Sequence, residues 1–275
     1  MAPLTYTPAQ VQRLRELGIR ETGIHFDSRN RRQTTFQHCI NMSTKAIQGA
    51  IRDMATAPSR HILSAMEADL ASLLVESGFI EVKTPTIIST NALDKMGIGQ
   101  EHPLFKQVFH IDDKRCMRPM LAPNLYTVMA HMRRTLRGPV KLFEIGPCYR
   151  KESRSGSHMA EFTMLNAVVL GPDGDPSSEI KDLISRIMDC IGLDYELSEC
   201  ESDVYKSTID VEIEGQEVAS AATGPHELDA SHGIEEPWCG VGFGLERLLM
   251  LKGRKDSVRR VGRNLVYQNG IRIDI

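Results

Sequence analysis

The chain of 275 residues is long enough for one large domain with a small appended element. Its composition, 41% hydrophobic and 25% charged, is that of a globular protein with a core and argues against disordered, collagenous and membrane-spanning classes. The net charge of −3 is uneven, because residues 1–60 and 252–275 each carry +5 and residues 61–251 carry −13, which would suit contact with a polyanion or simply two solvated faces.

The first 58 residues predict an N-terminal helical arm. Thr7, Pro8 and Gln10 form a helix start in which Thr7 caps and Gln10 reaches back to it, and Gly18 ends that helix. The polar, Arg-rich residues 19–42 predict a loop with a short helix. A second helix is predicted from Ser43 to the break at Pro58.

Residues 59–275 predict a second, strand-rich domain. Ser59 is expected to cap a long amphipathic helix that Gly78 ends, and a strand from Phe79 leads to Pro85. Because extended segments outnumber helices and follow one another, we expect an α+β fold with a largely antiparallel β-sheet flanked by helices. The other strands are predicted at 107–111, 116–119, 141–145, 147–152, 162–170, 208–213, 216–222 and 239–243, and the other helices at 122–135, 177–191 and 244–252.

Cellular location and cofactor chemistry are constrained only by what the sequence lacks. No basic stretch followed by an apolar run opens the chain, and no window has the roughly 20 apolar residues of a membrane-spanning helix. The six cysteines are scattered without a CxxC pair, so neither a zinc site nor a disulfide framework is indicated. A cytoplasmic protein with reduced thiols is the expectation.

Two segments carry residues suited to chemistry. In Phe143–Glu152, Arg150 and Glu152 share one strand face, and a polar loop returns to a strand at Phe162. Alone, this pattern fits a surface ion pair on a hairpin better than an active site. In Gly240–Leu249 a glycine-rich strand leads into a helix, a junction that can approach a ligand closely but is neither a phosphate-binding P-loop nor a dinucleotide fingerprint.

Together and in this order, the segments resemble motifs of the class II aminoacyl-tRNA synthetases. Tyr149–Glu152 with Phe162 is similar to motif 2, Gly242–Arg247 to motif 3, and the helix and strand ending at Pro85 to motif 1. The chain resembles in particular the pyrrolysyl-tRNA synthetase family, in the form without the separate N-terminal tRNA-binding domain that longer members carry. The segments that carry this resemblance are Met117–Tyr126, Lys141–Ser153, Glu161–Asn166 and Pro237–Leu249.

The resemblance implies ATP-dependent activation of an amino acid to an aminoacyl-adenylate, followed by transfer to tRNA. Arg150, Arg247 and Glu217 would carry the catalysis, with Arg150 on the α-phosphate. The ATP site would also include Glu152 on the adenine amino group, Phe162 stacked on the base opposite Arg247, and, on weaker grounds, His158. Glu217 and Ser220 match family positions that hold ATP and Mg²⁺. Without the resemblance, the same residues would equally fit one exposed face of a strand.

The same resemblance implies a deep apolar pocket for a long Nε-acylated lysine such as pyrrolysine. Asn166 would bind the side-chain amide, and Tyr205 would close over the ring. Without the resemblance, the helical stripe in this set predicts ordinary core. Met129 and Val168 replace the Leu and Cys of better-known members, which leaves the shape of the pocket and the substrate open. The pocket residues implied are Ala122, Leu125, Tyr126, Met129, Asn166, Val168, Tyr205, Ala222 and Trp238.

Other readings remain open at this point. Another class II synthetase of phenylalanyl or phosphoseryl type is the first, although a phosphoserine pocket would need a basic cluster. A non-catalytic synthetase paralogue that binds tRNA is the second, although Arg150, Arg247 and Glu217 are all retained. A simple RNA-binding module using the basic ends is the third. The resemblance also implies a homodimer formed through motif 1, and tRNA bound in part by the arm.

Overall fold

The computed structural model describes residues 4–19, 22–151 and 158–275, which form two units. One unit contains the residues up to His61 together with Asn264–Ile275, and the other is Ile62–Arg263. The sequence places the division near residue 58 and assigns everything from 59 onward to one domain. The structure instead groups the C-terminal segment with the N-terminal arm.

The first unit consists of two helices and a short hairpin. In α1 (Pro8–Glu16) the predicted capping box is confirmed, since the Thr7 N–H donates to Gln10 at 3.0 Å and the Gln10 N–H donates to the Thr7 hydroxyl at 3.3 Å. The loop with a short helix predicted over 19–42 is wrong over most of its length, because Ser28 caps a single helix, α2 (Arg29–Thr56), that includes the helix predicted from Ser43. That stretch contains no proline, and its exposed arginines are compatible with a solvated helix. The hairpin strands are β10 (Tyr267–Gln268) and β11 (Ile271–Arg272).

The second unit is built round a seven-stranded sheet. Its order is β1-β4-β5-β9-β8-β7-β6, and every pairing is antiparallel except β1 with β4. The expected α+β class with a largely antiparallel sheet is therefore confirmed. The strands of the unit, of which β2 and β3 lie outside this sheet, are β1 (Ile80–Glu81), β2 (Ile87–Ser89), β3 (Arg115–Met117), β4 (Val140–Tyr149), β5 (Glu161–Leu170), β6 (Glu196–Ser202), β7 (Lys206–Ile213), β8 (Gln216–Gly224) and β9 (Trp238–Gly244). The helices are α3 (Ile62–Glu76), α4 (Thr90–Asp94), α5 (Pro103–Gln107), α6 (Ala122–Arg133), α7 (Pro176–Ile191), α8 (Asp229–His232) and α9 (Leu245–Lys252), with a 3₁₀ turn at Val258–Arg260.

Several predicted elements differ from the structure. The strands expected at 141–145 and 147–152 are one continuous strand, β4, which ends at Tyr149, because Gly146 and Pro147 lie within the strand and do not end it. No strand forms at 107–111, where α5 ends and only a single bridge joins His110 to Cys116. The helix expected from Ser59 begins at Ile62. The edge strand β6 was missed because its Glu- and Ser-rich sequence carries little apolar pattern.

The sheet separates two apolar clusters, in keeping with the two-residue period of a strand. On one face Phe143, Leu165 and Val241 pack against α3, α7 and α9. On the other face Leu142, Val168 and Trp238 belong to a second cluster that includes α6. The second face also carries the candidate site. No helix in the described ranges combines the length and apolar character needed to cross a bilayer.

A buried ion pair fixes the segment beside the site. Arg118 and Glu144 are each 1% exposed and lie 2.7 Å apart, and the Thr84 hydroxyl donates to the second carboxylate oxygen at 2.6 Å. The Arg118 Nε also donates to the Pro147 carbonyl at 2.8 Å. Removing one partner of such a pair costs about 3–5 kcal/mol. The pair therefore holds Arg118, and with it the adjoining Pro119, in one position against β4.

Candidate active site

A cavity of about 530 Å³ lies on the face of the sheet formed by β5, β8 and β9 and is covered in part by α6. Every described residue that the sequence proposed for a site contributes to its wall. Glu152, proposed for the adenine, lies outside the described residues. The proposed residues in the wall are Arg150, His158, Phe162, Glu217, Ser220 and Arg247, together with Ala122, Leu125, Tyr126, Met129, Asn166, Val168, Tyr205, Ala222 and Trp238.

The floor of the cavity is the face of β9 that, after Trp238, carries only glycines. Gly240, Gly242 and Gly244 point toward the cavity, whereas the alternating residues Cys239, Val241 and Phe243 are buried in the opposite core. A Cβ atom at Gly242 would lie 2.8 Å from the Asn166 Oδ1 and 3.3 Å from the Met164 Cε. The depth of the cavity at its centre therefore depends on glycine.

Strand register orders the cavity from an apolar end to a polar end. Val168, Gly240 and Ala222 pair across the floor, and two residues along each strand the next row is Asn166, Gly242 and Ser220. Successive rows on one face are about 7 Å apart. Trp238 lies beyond the first row. Past the second row, β9 runs through Gly244 directly into α9, which carries Arg247.

Two guanidinium groups reach the polar end from separate elements. Arg150 follows β4, donates from its Nε to the Pro119 carbonyl at 2.9 Å, and places its Cζ 5.3 Å from the centre of the Phe162 ring. Arg247, on α9, donates to the backbone carbonyl of Glu217. The arrangement concentrates fixed positive charge at one end of the cavity, where it can hold an anionic ligand.

A β-bulge brings Glu217 to the same face as Ser220. In a regular strand these two residues, three apart in the chain, would point to opposite faces. Between β7 and β8, however, Val211 pairs with Ala219 and the next residue, Glu212, pairs with Glu217. Val218 is the extra residue, and it is buried in the opposite core. Because of the bulge, the oxygen-bearing side chains of Glu217 and Ser220 both lie on the cavity wall.

The oxygen-rich corner of the polar end has the chemistry of a divalent-cation site. The Ser220 hydroxyl donates to the Asp210 Oδ1 at 2.7 Å, which leaves its lone pairs to face a cation. Within the described ranges no cluster of three or more His, Cys, Asp or Glu side chains is arranged to hold a metal. A cation here would therefore take further ligands from water and from a bound phosphate, as Mg²⁺ commonly does.

Desolvation by the cavity walls raises the pKa of the Glu217 carboxyl. Asp210 and Glu212 raise the pKa further, whereas Arg247 and Arg150 lower it. The side chain remains solvent-accessible through the open cavity, so its ionised form is disfavoured but not excluded. A cation or a cationic group at this corner would favour the ionised form.

The apolar end is walled by one face of α6 and by two further aromatic rings. Leu125, Tyr126 and Met129 follow the helical spacing read from the sequence and are each 2% exposed. The Trp238 ring lies 5.7 Å from both Tyr126 and Tyr205, in edge-to-face geometry with each. These residues form part of the core and of the cavity wall at once. The interpretation of the helical stripe as core and its interpretation as pocket wall therefore do not exclude each other.

Some residues that shape the site were not found from the sequence. Asp210 bonds both Ser220 and the Thr208 hydroxyl, and the predicted strand at 208–213 already placed Thr208, Asp210 and Glu212 on one face. Glu246, which is 3% exposed, accepts bonds from the backbone and side chain of Thr163, a contact that no local pattern signals.

Comparison with known proteins gives one family and a set of close structural relatives. Residues 46–269 match the family "tRNA synthetases class II core domain (F)". The crystal structure of pyrrolysyl-tRNA synthetase from Desulfitobacterium hafniense aligns over 100% of both chains, with a TM-score of 0.91 and 40% identity. A second structure of a pyrrolysyl-tRNA synthetase from that organism covers 100% of this chain and 98% of its own, with a TM-score of 0.89 and 40% identity.

Curated relatives match at lower identity and over part of their length. O-phosphoserine–tRNA(Cys) ligase of Methanococcus vannielii is 24% identical over 181 residues, which are 62% of this chain and 34% of that ligase. Histidine–tRNA ligase of Nitratidesulfovibrio vulgaris is 27% identical over 143 residues, which are 50% of this chain and 34% of that ligase. The match therefore spans about a third of each of these relatives.

The raised pKa of Glu217 predicts a pH-dependent cost to stability. A carboxyl whose pKa is higher in the folded than in the unfolded state destabilises the fold once pH exceeds the unfolded value, and the cost is absent in acid, where both states are protonated. We expect Glu217→Gln to raise the melting temperature of the ligand-free protein at pH 8, and this gain to shrink as pH falls toward 4. Thermal unfolding across that range measures it, with the exposed Glu201→Gln as control. A gain independent of pH would contradict the assignment.

Proposed function

This chain belongs to the class II aminoacyl-tRNA synthetases and, within them, to the pyrrolysyl-tRNA synthetases, and we propose on that premise that it activates a long Nε-acylated lysine, pyrrolysine or a close analogue, with ATP and transfers it to tRNA. The observation that carries the proposal is the ordered cavity. Its polar end holds two guanidinium groups, and its apolar end continues from the same floor. Two ligands, one bound at each end, would meet above Gly242.

The polar end suits the triphosphate and base of ATP. Arg150, oriented by Pro119, would hold the α-phosphate, where negative charge develops as the carboxylate attacks. The adenine would stack on the face of Phe162 that Arg150 does not cover, with Arg247 on its other side and near the γ-phosphate. Because both guanidinium groups are anchored to backbone carbonyls, they need little reorganisation during the reaction.

The same end fits Mg²⁺ as a companion of the triphosphate. Glu217 and Ser220 would supply oxygen ligands, and Asp210 would keep the Ser220 hydroxyl turned so that its oxygen faces the cation. When bound, the cation would neutralise charge on the phosphate oxygens. The two arginines and the strand backbone of this chain would position the triphosphate.

The apolar end suits a long, uncharged side chain. Asn166 is the polar residue of its row, and its amide could pair with an amide or carbamate of the substrate, while Val168, Ala222 and Trp238 lie farther along. A free lysine ammonium at this depth would lose its hydration, and the row of Val168, Gly240 and Ala222 offers it no carboxylate. The described lining there also has no Lys or Arg for a phosphoserine.

A substrate screen by ATP–pyrophosphate exchange tests this function. We expect exchange with pyrrolysine and with bulky Nε-carbamoyl lysines, because an apolar pocket discriminates by only about 1–3 kcal/mol per methylene. We expect none above background with free lysine, phosphoserine or phenylalanine. Arg150→Ala should abolish exchange with every substrate. Efficient activation of free lysine, or no exchange with any amino acid, would refute the proposal.

For tRNA we propose that the N-terminal arm supplies part of the binding surface. The helix α2 has no buried residue and begins with a cluster of arginines. Of these, Arg32 donates to the Thr5 carbonyl and so has a structural role, whereas Arg31 is 71% exposed in an ion pair with Asp27. An exposed pair of this kind contributes little to stability, so Arg31 is the better residue to test.

Charge reversal at Arg31 should separate the two steps of the reaction. We expect Arg31→Glu to lower kcat/KM for tRNA charging by about tenfold, with the loss shrinking as salt is raised, because a phosphate contact becomes a repulsion. Pyrophosphate exchange should change less than about twofold, since that step needs no tRNA. Lys181→Glu, an exposed reversal on α7, is the matched control. Equal losses in both steps would remove the arm from tRNA binding.

We also propose a homodimer formed through the segment that resembles motif 1. In that segment Val75 is 54% and Ile80 44% exposed, and just beyond it Ile87 is 47% exposed, so a partner copy bound there would cover apolar side chains. Light scattering at micromolar concentration should give twice the chain mass of 30.7 kDa. Ile80→Glu should shift the protein toward monomer, while Leu197→Glu, an exposed apolar residue on β6, should not. A monomeric wild type would contradict the proposal.

A further inference from the structure

A carboxylate that does not line the cavity lies directly behind its apolar end. Asp229, the first residue of α8, is 2% exposed. One of its oxygens accepts from the Tyr126 hydroxyl at 2.9 Å. The other accepts from the Trp238 indole N–H at 2.8 Å and from the His226 backbone N–H at 2.5 Å. Each carboxylate oxygen thus holds a different ring of the cavity wall.

The two rings that Asp229 holds are oriented by this contact. The indole N–H can only donate, so the Trp238 ring must turn its nitrogen toward an acceptor. Burial, with Tyr205 and Asp229 beside it, raises the pKa of Tyr126 far above its ordinary value, so its hydroxyl stays protonated and donates. The rings meet edge to face at an interplanar angle of 79°, and His232 stacks on Tyr126 with centroids 4.3 Å apart.

The backbone beside the indole nitrogen leaves room for this arrangement only because it is glycine. A Cβ atom at Gly224, which pairs with Trp238 across β8 and β9, would come 1.9 Å from the indole nitrogen. The Trp238 ring therefore sits against Gly224 on one side and is bonded to Asp229. Small movements of the ring in either direction would change the end of the cavity.

We propose that Asp229 is a positioning residue that sets the shape of the amino-acid end of the cavity, by fixing Tyr126 and Trp238 from outside the site. It touches no substrate. Its effect on substrate selection rests on the function proposed above, whereas its effect on the rings does not, and the two can be measured separately.

Replacing Asp229 by Asn and by Ala distinguishes positioning from simple packing. The Asn side chain has the same shape, so its oxygen can accept from Trp238 and His226, and its NH₂ can donate to the Tyr126 oxygen. Asp229→Asn should therefore preserve the ring positions with a neutral acceptor. Asp229→Ala removes all three bonds, which leaves the indole N–H without its acceptor and releases the Tyr126 hydroxyl from the carboxylate.

The ligand-free protein tests the ring contact by itself, because Trp238 is the single tryptophan of the chain. Its indole N–H should give one signal in a ¹H–¹⁵N correlation spectrum, and this signal should move when the charged acceptor becomes neutral in Asp229→Asn. In Asp229→Ala the tryptophan emission should shift to longer wavelength and be quenched more readily by acrylamide. Glu235→Ala, which removes an exposed carboxylate in the same segment, should alter neither. An unmoved indole signal in Asp229→Asn would overturn the contact.

Pyrophosphate exchange then tests the consequence for selection, with the best amino acid of the screen and with ATP varied in turn. We expect Asp229→Ala to raise KM for the amino acid by about tenfold or more, because walls displaced by a fraction of an ångström lose their fit, and to leave KM for ATP within about twofold. Asp229→Asn should restore most of the amino-acid affinity. Equal rises in both KM values, or an Asn variant as impaired as the Ala variant, would overturn the positioning role.

If Asp229→Ala does not fold, as judged by circular dichroism, Tyr126→Phe takes its place. This variant removes one donor and keeps the ring, so a several-fold rise in KM for the amino acid with KM for ATP unchanged supports the proposal. An unchanged amino-acid KM overturns it. If no amino acid supports exchange in the wild type, the proposed function fails, while the indole signal still decides the contact between Asp229 and Trp238.

Discussion

The site depends on one strand, β9, whose cavity face carries no side chain beyond its first residue, Trp238. Because Gly240, Gly242 and Gly244 alternate with buried Cys239, Val241 and Phe243, β9 can anchor one core fully and still leave open space above the other face. Neighbouring β5 and β8 then supply the walls, and antiparallel register arranges them in rows. The direction of the cavity, apolar toward Trp238 and cationic toward Arg247, follows from where each strand begins and ends.

The resemblance proposed the residues of this cavity wall, and several of them lie in segments whose arrangement follows from local patterns. The glycine alternation in β9 and its junction with α9 are local, so the position of Arg247 at the end of the floor could be anticipated. Arg150 and Phe162 flank a hairpin, which brings the end of one strand to the start of the next. The helical spacing of Leu125, Tyr126 and Met129 is likewise a local pattern, although it could not say whether the stripe faced a core or a cavity.

Other features of the site depend on contacts distant in the chain or on departures from regular periods, which local patterns do not reveal. Glu217, which the resemblance implies, reaches the cavity face only through the extra residue in β8, because simple alternation would turn it away. The contact of Asp229 with Tyr126 spans 103 residues and leaves no periodic trace. The helix α2 was misread because its exposed, charged residues suit a loop as well as a helix when no buried stripe is required of it.

Under the proposed function the two ends of the cavity would select their ligands by different physics, which would separate the chemistry from the specificity. At the polar end, guanidinium groups anchored to the Pro119 and Glu217 carbonyls would act on the charge that develops in the same place whatever the amino acid. At the apolar end, selection rests on the volume left between rings and small side chains, where each methylene counts for little. Changes at Met129 or Val168 can therefore alter which side chain is accepted while the arginines and the β9 floor stay as they are. The positions of Tyr126 and Trp238, held by Asp229, limit how far such changes can go.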